Sequence, residues 1–243
     1  MSDSPIDQLR SWFGRLPLLT RVMFTATITF ACLISFMKIT APWPLVWPLV
    51  LQRFQVWRLV TCYFAQPLIL STLFDMYMLV QYSSRLETDV YARRKGDYAF
   101  FICFIMASGW LLSYFQQFYM LFDVLLFAIV YLWSRHFPTQ RVRFIFGIEF
   151  QGMFLPWALL ALSFLQQNVL PLTEVFGILA AHIFHHLTQP SQSPRGPPLL
   201  STPTFFHRMF SDNRDAFGAQ RVATTASRAP PSHPWGTGRT LGN

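Results

Sequence analysis

The sequence predicts an all-α membrane protein, with six transmembrane helices followed by a disordered cytosolic tail. Three observations carry that prediction. Of 243 residues, 53% are hydrophobic and only 12% are charged, about half the charged share of a soluble domain. Apolar runs long enough to cross a bilayer recur from residue 18 to residue 187. From residue 188 onward the composition turns to Pro, Ser and Thr with little apolar periodicity. The same figures exclude a wholly disordered chain, which needs few apolar residues and many charges. The segments are therefore 1–17, cytosolic; 18–187, the six-helix membrane domain; and 188–243, the tail.

The first span covers about 18–37. It has no charge from Val22 to Met37, and Thr25, Thr27 and Thr29 can bond back to their own helix. No small-x-small cleavage site follows it, so it reads as an anchor that stays. Residues 41–48 hold Pro42, Pro44 and Pro48, which exclude a regular helix there. Trp43 and Trp47 suit that loop to the membrane–water boundary. The second span covers 57–83 and contains Pro67 and Asp75. The next apolar run is too long for one helix at about 20 residues per span. Gln116-Gln117 divides it into a third span, 98–117, and a fourth, 118–133. The fifth covers 152–167 and the sixth 170–187.

Six spans put both termini on one side, and basic residues choose it. Arg10, Arg15, Arg21, Arg85, Arg93, Arg94, Lys95, Arg135, Arg141 and Arg143 share that side with Arg195, Arg208, Arg214, Arg221, Arg228 and Arg239 of the tail. Only Lys38, Arg53 and Arg58 fall opposite. The short loops alone orient the termini to the cytosol. The net charge of +8 is thus explained by sidedness, and no nucleic-acid partner is implied.

Few side chains could do chemistry. Cys32, Cys62 and Cys103 sit in apolar runs without metal spacing and read as small apolar residues. Asp75, Asp123 and Glu174 are the acidic groups within spans. His182 and His186 share a helical face, with His185 near, but no further ligand is visible and no metal or cofactor is expected. Span four contains no serine. Ser108-Gly109 in span three reads as a small-residue helix contact. An intramembrane serine protease using Ser108 with His182 is one alternative, and a small transporter is another. Gly177 and Ala181, beside His182, give span six a small-xxx-small face. Trp57-Arg58 sits where the Pro/Trp loop enters span two, and its guanidinium can satisfy loose loop carbonyls. In the tail, Trp235, Gly236, Gly238, Arg239, Leu241 and Gly242 form two apolar anchors on a glycine-rich chain, the form of a short peptide ligand.

In this order the residues resemble the Derlin family, rhomboid-like pseudoproteases of endoplasmic-reticulum-associated degradation. The resemblance rests on Phe54-Gln55-Val56-Trp57-Arg58-Leu59-Val60-Thr61, on Tyr82 followed by Leu86-Glu87 and Gly96-Asp97-Tyr98, on Tyr131-Leu132-Trp133-Ser134-Arg135, and on Phe150-Gln151-Gly152-Met153-Phe154-Leu155-Pro156-Trp157. It spans about residues 15–187 and resumes at the C-terminus. Ala181 replaces a glycine of the family's Gly-xxx-Gly-His pattern, and Asp75 stands where Asn is the family residue. The resemblance implies a rhomboid-like fold without a catalytic serine, and a role in protein quality control and the unfolded protein response, with no bond broken. It implies misfolded proteins as clients, which retrotranslocate to the cytosol. It further implies a membrane ubiquitin ligase complex as partner and association with other copies or relatives. The C-terminal motif resembles the SHP box that binds the AAA+ segregase, valosin-containing protein.

Overall fold

A computed structural model of the protein describes residues 5–37, 43–143, 149–188 and 200–210. Its helices are α1 (Pro5–Arg15), α2 (Leu18–Met37), α3 (Trp47–Arg53), α4 (Arg58–Thr61), α5 (Leu70–Arg85), α6 (Lys95–Gln116), α7 (Phe122–His136), α8 (Leu155–Gln167), α9 (Leu172–Thr188) and α10 (Thr204–Met209). Among the described residues, two stretches, Leu18–Phe36 and Lys95–Gln116, are long and apolar enough to cross a membrane by length and composition. The helix Gly152–Gln167 is apolar but shorter.

Helix α7 is the axis. Of its 15 residues, 12 are buried, so it is hydrophobic all round and packs against α5, α6, α8 and α9 rather than facing solvent. Trp133, Leu125 and Leu126 are among the largest fully buried side chains. The outer helices instead expose large apolar residues, such as Phe36, Phe115, Leu165 and Leu170, a surface that suits lipid and not water.

The elements follow from local chemistry. In α2 the hydroxyls of Thr25, Thr27 and Thr29 donate to the carbonyls of Arg21, Met23 and Thr25 at 2.8, 2.9 and 2.7 Å. This lets polar residues lie in an apolar helix. Helix α6 ends at Gln117, whose φ is 56°. The turn expected at Gln116-Gln117 is therefore built by a left-handed residue, and the buried Ser113 hydroxyl donates to the Phe118 carbonyl at 2.6 Å to hold it.

Three expectations are corrected. The 41–48 loop does not stay irregular to its end, because α3 begins at Trp47. Pro48 lies in its first turn, where the missing N–H has no partner to lose. The second span is not one helix from 57 to 83. After α4 the chain is irregular to Ile69, with Pro67 inside that stretch, and α5 has only 16 residues. The tail is not wholly without structure. Leu200 N–H donates to the Leu187 carbonyl at 3.0 Å. Helix α10 then returns to α6, where Phe206 meets the Phe100 ring at 5.7 Å and His207 Nε2 faces Asp97 Oδ1 at 3.4 Å. A short aromatic-rich patch can bury itself on a neighbour although its Pro- and Ser-rich flanks suggest otherwise. A two-stranded hairpin, β1 (Arg141–Arg143) with β2 (Glu149–Gln151), also occupies what reads as a plain loop. Arg143 donates twice to Glu149 Oε1, which holds that exposed carboxyl below its ordinary range.

At the basic end one carboxylate joins four elements. Glu87 is only 1% exposed and lies in a π-helical turn, Leu86–Val90, after α5. Its oxygens accept the N–H groups of Leu19 and Thr20 at 3.1 and 3.0 Å and the Thr20 hydroxyl at 3.1 Å. Thr20 Oγ1 and Ser83 Oγ are 2.8 Å apart, and Ser83 Oγ lies 2.7 Å from the Tyr98 hydroxyl. The first turn of α2 is thus capped from 67 residues away. Glu87→Ala leaves two buried donors without an acceptor and should cost about 2–3 kcal/mol. Glu87→Gln, which still accepts, should cost less. Both are read from unfolding of the purified protein in detergent micelles, and an unchanged midpoint for Glu87→Ala would contradict the capping role.

Candidate functional site

The Trp57-Arg58 pair sits at the start of α4, beside the visible part of the Pro/Trp loop. Arg58 is 5% exposed. Its Nη1 donates to the Pro44 carbonyl at 2.7 Å and its Nε to Gln55 Oε1 at 2.6 Å. The guanidinium therefore ties the loop to the segment before α4, with its charge stem laid along the protein and not reaching to solvent. Leu45 N–H donates to the Tyr119 carbonyl, and Trp110 Nε1 to the Leu59 carbonyl, at 2.9 and 2.8 Å. The first bond fastens the loop to the α6–α7 turn, and the second fastens α4 to α6. Phe30 and Trp43 meet edge-on at 5.0 Å. Trp57, by contrast, is half exposed on the rim. The motif thus divides its labour: Arg58 holds the loop, and Trp57 faces outward.

The small residues of α9 lie against α7. A Cβ added at Gly177 would stand 2.5 Å from the Val124 carbonyl oxygen, so only glycine permits this approach of two backbones. Ala181 is fully buried one turn on. His182 Nδ1 lies 2.6 Å from the Tyr131 hydroxyl, and its ring stands 4.4 Å from that of His186. Among the described residues no three His, Cys, Asp or Glu side chains converge closely enough to hold a metal ion.

Ser108 and His182 are engaged separately. The Ser108 hydroxyl donates to the Ile105 carbonyl of its own helix at 2.8 Å, while His182 contacts α7. Gly109 has a different task from a helix–helix contact. It leaves room for Tyr63, whose hydroxyl donates to the Met106 carbonyl at 2.7 Å. The segregase-type motif, Trp235 to Gly242, lies outside the described residues.

The three acidic residues of the spans meet in one place. Asp75 of α5, Asp123 of α7 and Glu174 of α9 line a single cavity of about 350 Å³, with Ser163 and Gln167 of α8. Read separately along the chain, they give no sign of convergence. The available signal is their depth, since Asp123 and Glu174 open their helices and Asp75 lies in the second turn of α5.

The sequence is similar to known proteins along nearly its whole length. A family model described as "Der1-like family" matches residues 16–204. Derlin-1 of Drosophila melanogaster is 35% identical over 241 residues, covering 95% of this chain and 97% of that protein. Derlin-1 of Homo sapiens is 29% identical over 251 residues, covering 98% and 100%. A probable derlin-1 homolog of Dictyostelium discoideum is 29% identical over 246 residues, also covering 98% and 100%.

Arg58→Lys should free the Pro44 carbonyl or Gln55, because an ammonium cannot span both as the guanidinium fork does. Hydrogen exchange across residues 43–48 should accelerate in Arg58→Lys and more so in Arg58→Ala. Gly177→Val should force α9 away from α7 and cost about 1–3 kcal/mol, read as a lowered thermal midpoint. Equal exchange, or an unshifted midpoint, would remove the respective roles.

Proposed function

The chain belongs to the Der1-like family, a family of membrane proteins, and from that membership we propose that it is a non-catalytic factor of endoplasmic-reticulum-associated degradation. It sits in the endoplasmic-reticulum membrane, helps misfolded proteins return to the cytosol, and breaks no bond. The match over residues 16–204 carries this reading. In it, α2, α5, α6, α7, α8 and α9 are the six spans of a rhomboid-like body, with both termini cytosolic. The distribution of basic residues supports that sidedness.

The geometry supports a physical route. Helices α5 and α8 have 16 and 13 residues. At about 1.5 Å per residue they reach roughly 20–24 Å, short of the ~30 Å hydrocarbon core of a typical bilayer. A body walled by short helices thins the lipid beside it. Thinner lipid shortens the apolar path that a polar client segment must cross, and the polar cavity between α5 and α8 lies on that path. Energy for extraction comes from outside: a ubiquitin ligase complex marks the client, and the AAA+ segregase pulls it. The engaged states of Ser108 and His182 favour this role over proteolysis.

Deletion of residues 234–243 should abolish pull-down of valosin-containing protein from solubilised membranes and leave insertion intact. Undiminished pull-down would sink the C-terminal motif as the segregase site.

A further inference from the structure

We propose that the cavity between α5, α7, α8 and α9 receives the cationic side chain of a client segment, so that the protein prefers apolar segments carrying a lysine or arginine. This rests on the client-binding role above and specifies the chemistry of the client.

The first observation is a set of acidic groups without a basic partner. Asp75, Asp123 and Glu174 come from three different helices onto one cavity of about 350 Å³, and none of the residues lining it is basic. Asp75 and Asp123 are half-buried and make no hydrogen bond or ion pair among the described residues. Carboxylates inside a membrane body are costly and are usually paired or used.

A second observation points to an absent occupant. Glu174 is 2% exposed. Its Oε1 accepts from the Ser163 hydroxyl and from Gln167 Nε2. Its Oε2 is buried and has no hydrogen-bond partner. A native fold seldom leaves such an atom unsatisfied, since the unmade bond costs its full desolvation. Glu174 lines the same space as the two unpartnered aspartates, so a small shift of its carboxyl would present this atom to an occupant.

The form of the cavity selects the cation. The acidic groups do not converge closely enough for a metal ion, which needs several ligands within about 2.6 Å. They are spread as a wider donor requires. A guanidinium offers five N–H groups in a plane, and an ammonium offers three. Leu126, Phe127, Leu159 and Leu162 supply apolar wall for the alkyl stem of either. The volume lies at the low end of small-ligand pockets, about 300–1,000 Å³, and so suits one side chain and not a folded domain.

The approach is apolar. Ile69 and Ser71 stand at the lining beside Leu70, which is 85% exposed. Val169 and Leu170 of the α8–α9 turn are exposed too. An apolar segment can lie along this rim while one basic side chain turns inward. A lysine or arginine stranded in an unassembled membrane segment is itself expensive in lipid, so the pairing gives both the cation and the acidic groups a partner.

The test uses the full-length protein in nanodiscs, with a photo-crosslinking residue replacing Ser71. The probes are leucine–alanine transmembrane peptides that differ at one central position: arginine, norleucine or glutamate. The arginine peptide should be captured about tenfold more than the norleucine peptide, the factor one charge-assisted hydrogen bond supplies in a dry site. The glutamate peptide should be captured least. Asp75→Asn combined with Asp123→Asn removes charge but no native bond, so folding is preserved and checked by thermal midpoint. In that variant the arginine preference should shrink to what Glu174 alone supplies, with norleucine capture unchanged. Asp75→Asn alone should reduce the preference partway, and serves if the double variant does not fold. Equal capture of arginine and norleucine by the parent protein would overturn the cation preference and leave client binding standing. An undiminished preference in the asparagine variants would overturn its assignment to these carboxylates. Capture of no peptide would overturn both the preference and the client-binding role.

Discussion

The carboxylate of Glu87 bonds to backbone that precedes it by 67 residues, and the order of the basic end depends on that one closure. A helix that starts in an apolar body exposes N–H groups that nothing local satisfies. Here Pro17 and Leu18 offer no capping side chain, and the acceptor arrives from the turn after α5. Because Thr20, Ser83 and Tyr98 extend the same chain of bonds, α2, α5 and α6 are set in register at one level. Tyr91 stacks on Tyr98 at 5.5 Å, and its burial pushes its phenol up to about 12. It therefore stays a neutral part of this packed end throughout the physiological range.

From that fixed end the helices diverge into a body organised by α7. A helix buried on every face can admit a close neighbour only where a side chain is missing, which is the role of Gly177 against Val124. The other neighbours of α7 pack through side chains and leave space between them. The polar cavity lies where α5 and α8 meet the first turns of α7 and α9. The two ends of the body are unlike: at the basic end Glu87 uses both oxygens on α2, whereas the acidic end holds Glu174 with one oxygen unsatisfied and the Arg58-bound loop.

Much of the fold was legible because lipid imposes length and apolarity on any spanning helix. The limits of α2 and the Gln116-Gln117 turn could be read for that reason. The guanidinium of Arg58 was legible as a tie for loop carbonyls, since prolines remove donors but leave carbonyls needing partners. What stayed hidden is tertiary. Glu87 enters the sequence reading only as part of a family motif, and only the fold brings Leu19 to it. Helix α10 was masked by its Pro- and Ser-rich flanks, although Phe205 and Phe206 carried the apolar signal. The three acidic residues were visible singly, but their meeting depends on how α5, α7 and α9 are ordered around one axis.

Unequal ends give a body like this its mechanical sense. In the proposed role, the helices must stay together while loosening on one side. Saturated hydrogen bonds at the Glu87 level resist separation, because each broken bond there strands a buried group. At the other end, Asp75, Asp123 and the free oxygen of Glu174 have few bonds to lose and bonds to gain. Opening between α5 and α8 therefore costs least where a polar segment has most to offer. Pro67 and the irregular stretch before α5 leave the entrance of that helix without the ladder that would stiffen it. The same break that shortens α5 thus leaves it anchored firmly at one end and freer at the other.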